Sequence, residues 1–421
     1  MPIRRSLLPL LALAGLLLLD ACAPAAHDPH WANVRELTPA AFGSRPVFDP
    51  GVAAGPGGRV AVTYVTRDTA GADAWITVSA DSGMHVSPPV RLYTRHGKVS
   101  TFPESRPVAA FGASGQLVVA WAAARDSGHM ADDIVVRASN DGGASFEPEV
   151  ILNDDRALPH STYHGFIALG ATPQGRMIAA WIDGRAATTP PGEDEPPVAQ
   201  LWSASSEDGG HLWRPNVLVA DSVCPCCRPA LRASAAGLVA VAFRAVRAGI
   251  RDPHLALSRN GGDSFSSDTP LSADRWKLAA CPVAGPALTL ARDGGFVAWS
   301  TGAVGADSSG PGVYVAPWRA GEGASGPRRR LAEPALEAAH AQLVTLGSVT
   351  LVGLIARPEK GRHALALRTL AADGTLSSWL FVGANARSAA LAGTDSGHAL
   401  AAWLEQTDAG PRLRLVRITK G

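Results

Sequence analysis

The sequence predicts an all-β fold, a closed β-propeller of four-stranded blades, with seven blades favoured and six as the alternative. Three observations lead there. The pattern S-x-[D/N]-x-G-x-x-[aromatic or aliphatic] occurs four times, starting at Ser79 (S-A-D-S-G-M-H-V), Ser139 (S-N-D-G-G-A-S-F), Ser206 (S-E-D-G-G-H-L-W) and Ser258 (S-R-N-G-G-D-S-F). Its intervals of 60, 67 and 52 residues match the length of one four-stranded blade with generous loops. A second recurrence, a small-residue strand, a Gly-containing turn and an apolar strand often ending in Trp, appears seven times. The composition is 46% hydrophobic and 18% charged with 44 Gly and 32 Pro, which suits many short strands joined by turns.

In chain order the seven units are Val52–Tyr64, Val108–Trp121, Ile167–Trp181, Ala230–Phe243, Ala287–Trp299, Ala341–Ile355 and Ala389–Trp403, each starting 48 to 63 residues after the last. Alternation such as G-R-V-A-V-T-Y-V and G-Q-L-V-V-A-W has the period of two expected of half-buried strand. The Ser-Asp pattern closes the first four units, decays in the fifth and leaves only Asp373-Gly374 with Trp379 in the sixth. In each copy the Asp or Asn is expected to cap free backbone N–H groups, the glycines to supply positive φ, and the last residue to plug the turn into its blade. Unit seven ends at Leu415–Ile418 with no room for a fourth strand. The segment Trp31–Thr38 is expected to supply it, closing the ring and removing exposed sheet edges. Gly184–Pro197 is a Pro-rich acidic insertion, read as a solvated excursion or a rim over the pocket.

The first 21 residues read as an export signal, with Arg4 and Arg5 as the charged region and Leu7 to Leu19 as an apolar run too short for a membrane span. The run ends in Leu19-Asp20-Ala21-Cys22, which resembles a bacterial lipoprotein signal. That resemblance implies cleavage before Cys22 and lipid on its thiol. With Ala23 next, it also implies a membrane anchor in the outer membrane, facing the periplasm. An ordinary secretory signal beside an incidental Cys is the alternative. Residues 22–30 would then be a tether and 31–421 a single propeller domain. A net charge of +1 favours neither nucleic acid nor an anionic membrane surface, and the chain is expected to be a monomer.

The Ser-Asp repeats resemble the Asp-box (BNR) repeats of sialidases and their relatives. The stretches D-S-V-C-P-C-C-R-P-A, R-D-P-H-L-A-L-S, D-R-W-K-L-A-A-C-P-V-A-G-P-A, H-G-F and W-I-D-G-R resemble a bacterial subgroup of sialidase-like BNR proteins, over roughly residues 45 to 330. In a propeller, segments linking one blade's outer strand to the next blade's inner strand meet at one mouth of the central channel, opposite the Asp boxes. Those segments hold Arg45, Arg106, His160, Tyr163, His164, the run Cys224 to Arg228, Cys281, His340 and Arg387. Of these, Arg45, Arg106, His160, Tyr163, Arg228, His340 and Arg387 are the candidate ligand-binding residues. Asp183, Arg185, Arg251 and Asp252 follow second strands and are expected to pair locally as rim ion pairs.

Cys224, Cys226, Cys227 and Cys281 lie in two successive inter-blade segments. Cys-x-Cys-Cys is too cramped for the paired knuckles of a zinc ribbon. Two readings stay open, with redox-active thiols as a third. A thiolate pocket with His164 nearby suits Cu(I) or Zn, and an exported chain favours disulfides, with Cys226 or Cys227 bridged to Cys281. No C-x-x-C-H is present for covalent haem.

The resemblance implies a sialidase mechanism to weigh: three arginines on the substrate carboxylate, a Tyr nucleophile polarised by Glu, and an Asp acid/base. Here the first arginine reads Ser44-Arg45-Pro46-Val47, without the F/Y-R-I-P signature. Of four tyrosines, Tyr64, Tyr93 and Tyr314 fall within predicted strands, and Tyr163 is in a blade where the family does not place its nucleophile. The reading is an envelope lipoprotein that binds a small molecule, glycan or soft metal ion at the Cys/His/Arg mouth, without sialidase catalysis. An exo-sialidase-type glycoside hydrolase and a protein-interaction scaffold are the alternatives.

Overall fold

A computed structural model describes residues 29–31, 34–37, 45–125, 131–158, 162–186, 199–304, 309–359, 362–394 and 397–420. Seven antiparallel sheets follow one another along the chain, each a propeller blade. Their inner strands are Val47–Ala54, Val108–Phe111, His164–Ala171, Ala230–Ala233, Ala287–Leu288, Ala339–Leu346 and Ala386–Gly393. Seven blades, rather than six, is the count.

The ring closes through the N-terminus. Gly410–Lys420, the third strand of blade seven, pairs with both Pro29–Trp31 and Arg35–Glu36, so the expected single strand is two short ones. The N–H of Leu37 also donates to the carbonyl of Leu413 at 2.8 Å.

Packing explains why small and apolar residues alternate. Seven apolar clusters each join two neighbouring blades; Leu37, Val47, Val60, Leu400, Leu413 and Leu415 form the one across the closure. No seam is missing: the others span the remaining six interfaces. The aromatic ends of the second strands, Trp121, Trp181, Trp299 and Trp403, are at most 1% exposed, as are Tyr64 and Phe243 in the equivalent places. At about 25 cal/mol per Å² these large surfaces dominate each interface.

The four Ser-Asp patterns form one repeated hairpin. Ser139 Oγ donates to Asp141 Oδ1 at 2.8 Å and accepts from the Gly143 N–H at 2.8 Å, while the Ser145 N–H donates to Asp141 Oδ1 at 2.9 Å. The same contacts recur at Ser79, Ser206 and Ser258, with Asn260 replacing the aspartate in the last. Gly143 needs φ near +98°, which is why glycine stands there. Phe146, Trp213 and Phe265 plug their turns against the core, but Val86 in the first copy is 39% exposed and does not. In blade four, Val239 pairs with Ser258 at one end of its strand, and Arg244 pairs with Pro253 at the other. The Cys224 N–H donates to the Arg244 carbonyl. Hairpins and cysteines therefore lie at opposite ends of a six-residue strand, roughly 17 Å apart at about 3.3 Å per residue.

Cys22 and the apolar run before it, and all of the Gly184–Pro197 insertion beyond residue 186, lie outside the described residues. Among the described residues, no helix is long and apolar enough to cross a membrane.

Candidate ligand site at the channel mouth

Inner strands enter the mouth through bulges. Register shifts fall between Phe48 and Gly51, Gly165 and Ala168, Ala339 and Gln342, and Ala386 and Ala389. An extra residue on one strand bends it and re-aims side chains, and such bulges gather at rims. Asp49, Phe166 and His340 sit in these bulges with φ of 46°, 51° and 56°, and Glu104 in the preceding loop has φ of 69°. Side chains other than glycine hold such angles only when surroundings enforce them. None of this backbone is readable from composition or spacing.

Glu104 is the centre of the mouth. Its Oε2 accepts from Arg106 Nη2 at 2.8 Å and Arg228 Nη2 at 3.3 Å, and His340 Nδ1 is 3.8 Å from its Oε1. Burial alone would raise the carboxyl's pKa, but Arg106, Arg228 and His340 prevail and hold it at about 2. Arg106 is almost wholly buried and also donates to the carbonyls of Pro50 and Ala389, clamping blades seven, one and two together. Arg228 keeps a quarter of its side chain exposed; burial and the neighbouring Arg106 lower its pKa to about 10.

Below them stands Arg232, on inner strand Ala230–Ala233, whose guanidinium donates to the carbonyls of Leu231 and Leu343. Its pKa too is lowered by burial. Arg106, Arg228 and Arg232 line one cavity of about 120 Å³ at the channel neck. Sequence reasoning missed Arg232; the available signal was a charged residue in the small-residue strand A-L-R-A. Past this neck the channel widens into a cavity of about 830 Å³ lined largely by small and aliphatic residues.

Asp49 was missed as well. Its carboxyl is raised to about 6, chiefly by burial, with Glu104 adding and Arg106 and Arg67 opposing. The two carboxyls are pushed in opposite directions, Asp49 up by burial and Glu104 down by its arginines and His340.

The expected arginine cluster assembles only in part. Arg45 reaches Asp68 at 4.0 Å with half its side chain in solvent, because it precedes the strand and faces the end of strand Val60–Asp68. Arg387 is exposed beside His363, turned out at the bulge of blade seven. His160 lies outside the described residues. Tyr163 donates its hydroxyl to the Pro225 carbonyl at 3.3 Å and packs on Phe166. Burial pushes its pKa upward, the reverse of what an activated nucleophile needs.

His164 does not join the cysteines. Fully buried, it hydrogen-bonds the Asp132 carbonyl through Nδ1 at 2.8 Å, while Nε2 lies 3.2 Å from Asp155 Oδ2 and 3.3 Å from Asp183 Oδ2. Burial pulls its pKa down, yet the two carboxylates win and raise it to about 9. Asp183 Oδ2 already accepts from Trp181 Nε1 and Arg185 Nη2, so the group is a buried imidazolium between two carboxylates. The Asp183–Arg185 pair forms as expected. Arg251 does not pair with Asp252, which instead caps the N–H groups of Arg275 and Trp276.

The four cysteines do converge. Cys226 and Cys281 form a disulfide, while Cys224 and Cys227 are buried free thiols with their sulfurs 2.6 Å apart. Arg251 Nη1 donates to Cys224 Sγ at 3.2 Å, and Arg244 spans the carbonyls of Ala284 and Ser300 next to them.

No family model matches the chain, and neither does any curated protein. Solved structures do match it in fold. The polysaccharide lyase Uly1 superposes with a TM-score of 0.55 at 10% identity, over 93% of this chain and 99% of that one. An α-L-arabinanase of Penicillium chrysogenum complexed with arabinobiose gives 0.51 at 13%, over 93% and 99%. A Trypanosoma rangeli sialidase mutant displaying trans-sialidase activity gives 0.51 at 12%, over 93% of this chain and 59% of that one, so this chain spans about three fifths of its length. At such identities the likeness is one of fold.

Proposed function

We propose that this chain is a lipid-anchored protein of the bacterial cell envelope whose Asp-box propeller binds a small anionic ligand, a carboxylate-bearing sugar, at the channel mouth without sialidase catalysis. One observation carries the reading: Arg106, Arg228 and Arg232 line one cavity, and the only carboxylate bonded to any of these guanidiniums among the described residues is Glu104, which Arg106 and Arg228 share. Buried like charges raise each other's cost, and an entering carboxylate would relieve it through forked hydrogen bonds. Fold neighbours that act on carbohydrates make sugar acids the first class to test. A Cu(I) or Zn ion is the alternative ligand of this face: Cys224, Cys226 and Cys281 could hold one once the Cys226–Cys281 bridge is reduced.

Calorimetric titration with glucuronate and N-acetylneuraminate tests it. Binding that weakens at least tenfold in Arg228→Ala and Arg232→Ala, with no fluorophore released from a fluorogenic sialoside, is the expected result. Sialoside turnover, or equal binding by all three proteins, would sink it. A second reading, carbohydrate cleavage by acid–base chemistry, rests on Asp49 and its carboxyl near 6. Turnover of acidic polysaccharide that disappears in Asp49→Asn would establish that reading instead.

A further inference from the structure

Four sulfurs at one side of the mouth are arranged in depth. Cys281 is exposed, its partner Cys226 is 4% exposed, and Cys224 and Cys227 are fully buried behind them. Cys224 Sγ is the junction, 3.8 Å from Cys226 Sγ and 2.6 Å from Cys227 Sγ. Cys224 and Cys227 are also spaced as Cys-x-x-Cys, a relation masked in the sequence by the intervening Cys226. Thiol–disulfide exchange requires a thiolate within reach of a disulfide sulfur and a leaving group of low basicity. Both are present: Arg251 donates to Cys224 Sγ, and Arg244 lies buried alongside. With Cys227, the Cys226 N–H and these two guanidiniums acting against burial, the Cys224 thiol is pulled down, while burial pushes Cys227 upward.

We propose that the cysteines form a two-pair exchange relay, in which the exposed Cys226–Cys281 bridge oxidises an external dithiol and passes the electrons inward to a Cys224–Cys227 disulfide. The substrate class is a dithiol, on a small molecule or a protein surface. Its first thiolate attacks Cys281 Sγ, forming a mixed disulfide and releasing Cys226 as thiolate. Its second thiolate attacks the substrate sulfur of that mixed disulfide, releasing Cys281 and leaving the substrate as a disulfide. The Cys226 thiolate then attacks Cys224 Sγ of the inner disulfide, displacing Cys227. Finally the Cys281 thiolate attacks Cys226 Sγ, displacing Cys224 and restoring the outer bridge. The balance is one substrate dithiol plus one inner disulfide giving one substrate disulfide plus one inner dithiol, with two electrons and two protons transferred; the inner disulfide is re-formed by an external small-molecule disulfide, which leaves as its two thiols. The structure has the arrangement of that end state, outer pair bridged and inner pair free, with the Arg251 guanidinium on Cys224 Sγ, the sulfur that departs last.

The test uses the full chain, oxidised until none of the four propeller cysteines reacts with iodoacetamide after unfolding, then given one equivalent of dithiothreitol while folded, quenched with acid, unfolded and alkylated. Peptide mapping is expected to find the label on Cys224 and Cys227, with Cys226–Cys281 intact. Label chiefly on Cys226 and Cys281 would overturn the relay. So would failure of the oxidised chain to form a Cys224–Cys227 bond at all. In the double variant Cys226→Ala/Cys281→Ala, reduction of the inner disulfide should slow at least tenfold because the exposed entry sulfur is gone. An unchanged rate would show that reductant reaches the inner pair directly and overturn the proposal. Should that variant misfold, the mapping on the unmodified chain decides alone.

Discussion

Glu104 and Arg228 are separated by 124 residues, yet a guanidinium N–H of Arg228 donates to the Glu104 carboxylate at 3.3 Å. Only the ring brings them together, because each ends an inter-blade segment that points at the same axis. Two consequences are separable. The carboxylate neutralises part of the charge that Arg106 and Arg228 bring to the neck, and its removal leaves both guanidiniums buried with less compensation.

Glu104→Gln is therefore expected to lower stability by about 3–5 kcal/mol, the usual loss when one partner of a buried ion pair is removed. Added glucuronate should restore more of the thermal midpoint in the variant than in the parent chain, since it supplies the missing charge. Acid should mimic the change. The folded pKa lies near 2 against 4.5 for an ordinary glutamate, so this stability is present above about 4.5 and lost as pH falls toward 2. Thermal melts across that range, with and without glucuronate, check both arms.

Repeats were the legible part of this fold. Spacing and alternation locate every inner and second strand because both follow from local rules, a period of two and a turn that needs glycine. Closure was legible for a related reason: a unit one strand short leaves an edge that something must cover. The site was less so. Arg106, Arg228 and His340 were found from topology, but Arg45 and Arg387 occupy the same kind of position and turn away, because bulges and strand ends decide side-chain direction. Asp49 escaped notice because its raised carboxyl comes from burial, which no motif records. Arg251 follows a second strand, where a local rim pair is expected, yet it bonds Cys224, 27 residues away, because the inter-blade segment packs behind it.

His164 gives a pH dependence of opposite sign to Glu104. Its folded pKa of about 9 exceeds the 6.5 of a free histidine, so its contribution is complete below 6.5 and lost as pH rises through 9. Its partners Asp155 and Asp183 are held below the ordinary carboxyl range and lose theirs only in acid. The thermal midpoint should decline from neutral pH toward 9, and His164→Gln should flatten that decline while lowering the midpoint throughout. A profile unchanged by the substitution would mean that the imidazole is neutral in the fold.

The Ser-Asp hairpins are expected to matter for stability and not for the mouth. In Ser206→Ala the buried Gly210 N–H loses its acceptor and Asp208 loses a donor, which should cost about 1–3 kcal/mol. Denaturant titration measures the loss, and glucuronate affinity under native conditions should stay within twofold of the parent. A tenfold change in affinity would contradict the placement of hairpins and mouth at opposite strand ends.

Leu37 tests the closure itself. It is 7% exposed in the cluster that joins blade seven to blade one, and its N–H holds the Leu413 carbonyl. Leu37→Ala should cost about 2–5 kcal/mol through lost burial and the cavity left behind. The location of the effect is more telling than its size. With the closing segment loosened, strand Gly410–Lys420 becomes an edge, and its amides that pair with Pro29–Trp31 and Arg35–Glu36 should exchange with deuterium faster. Amides of blade four, across the ring, should keep their protection under the same native conditions. Uniform acceleration in both blades would mean that the ring opens only by global unfolding, and no acceleration in either would mean that the N-terminal segment is not what holds it shut.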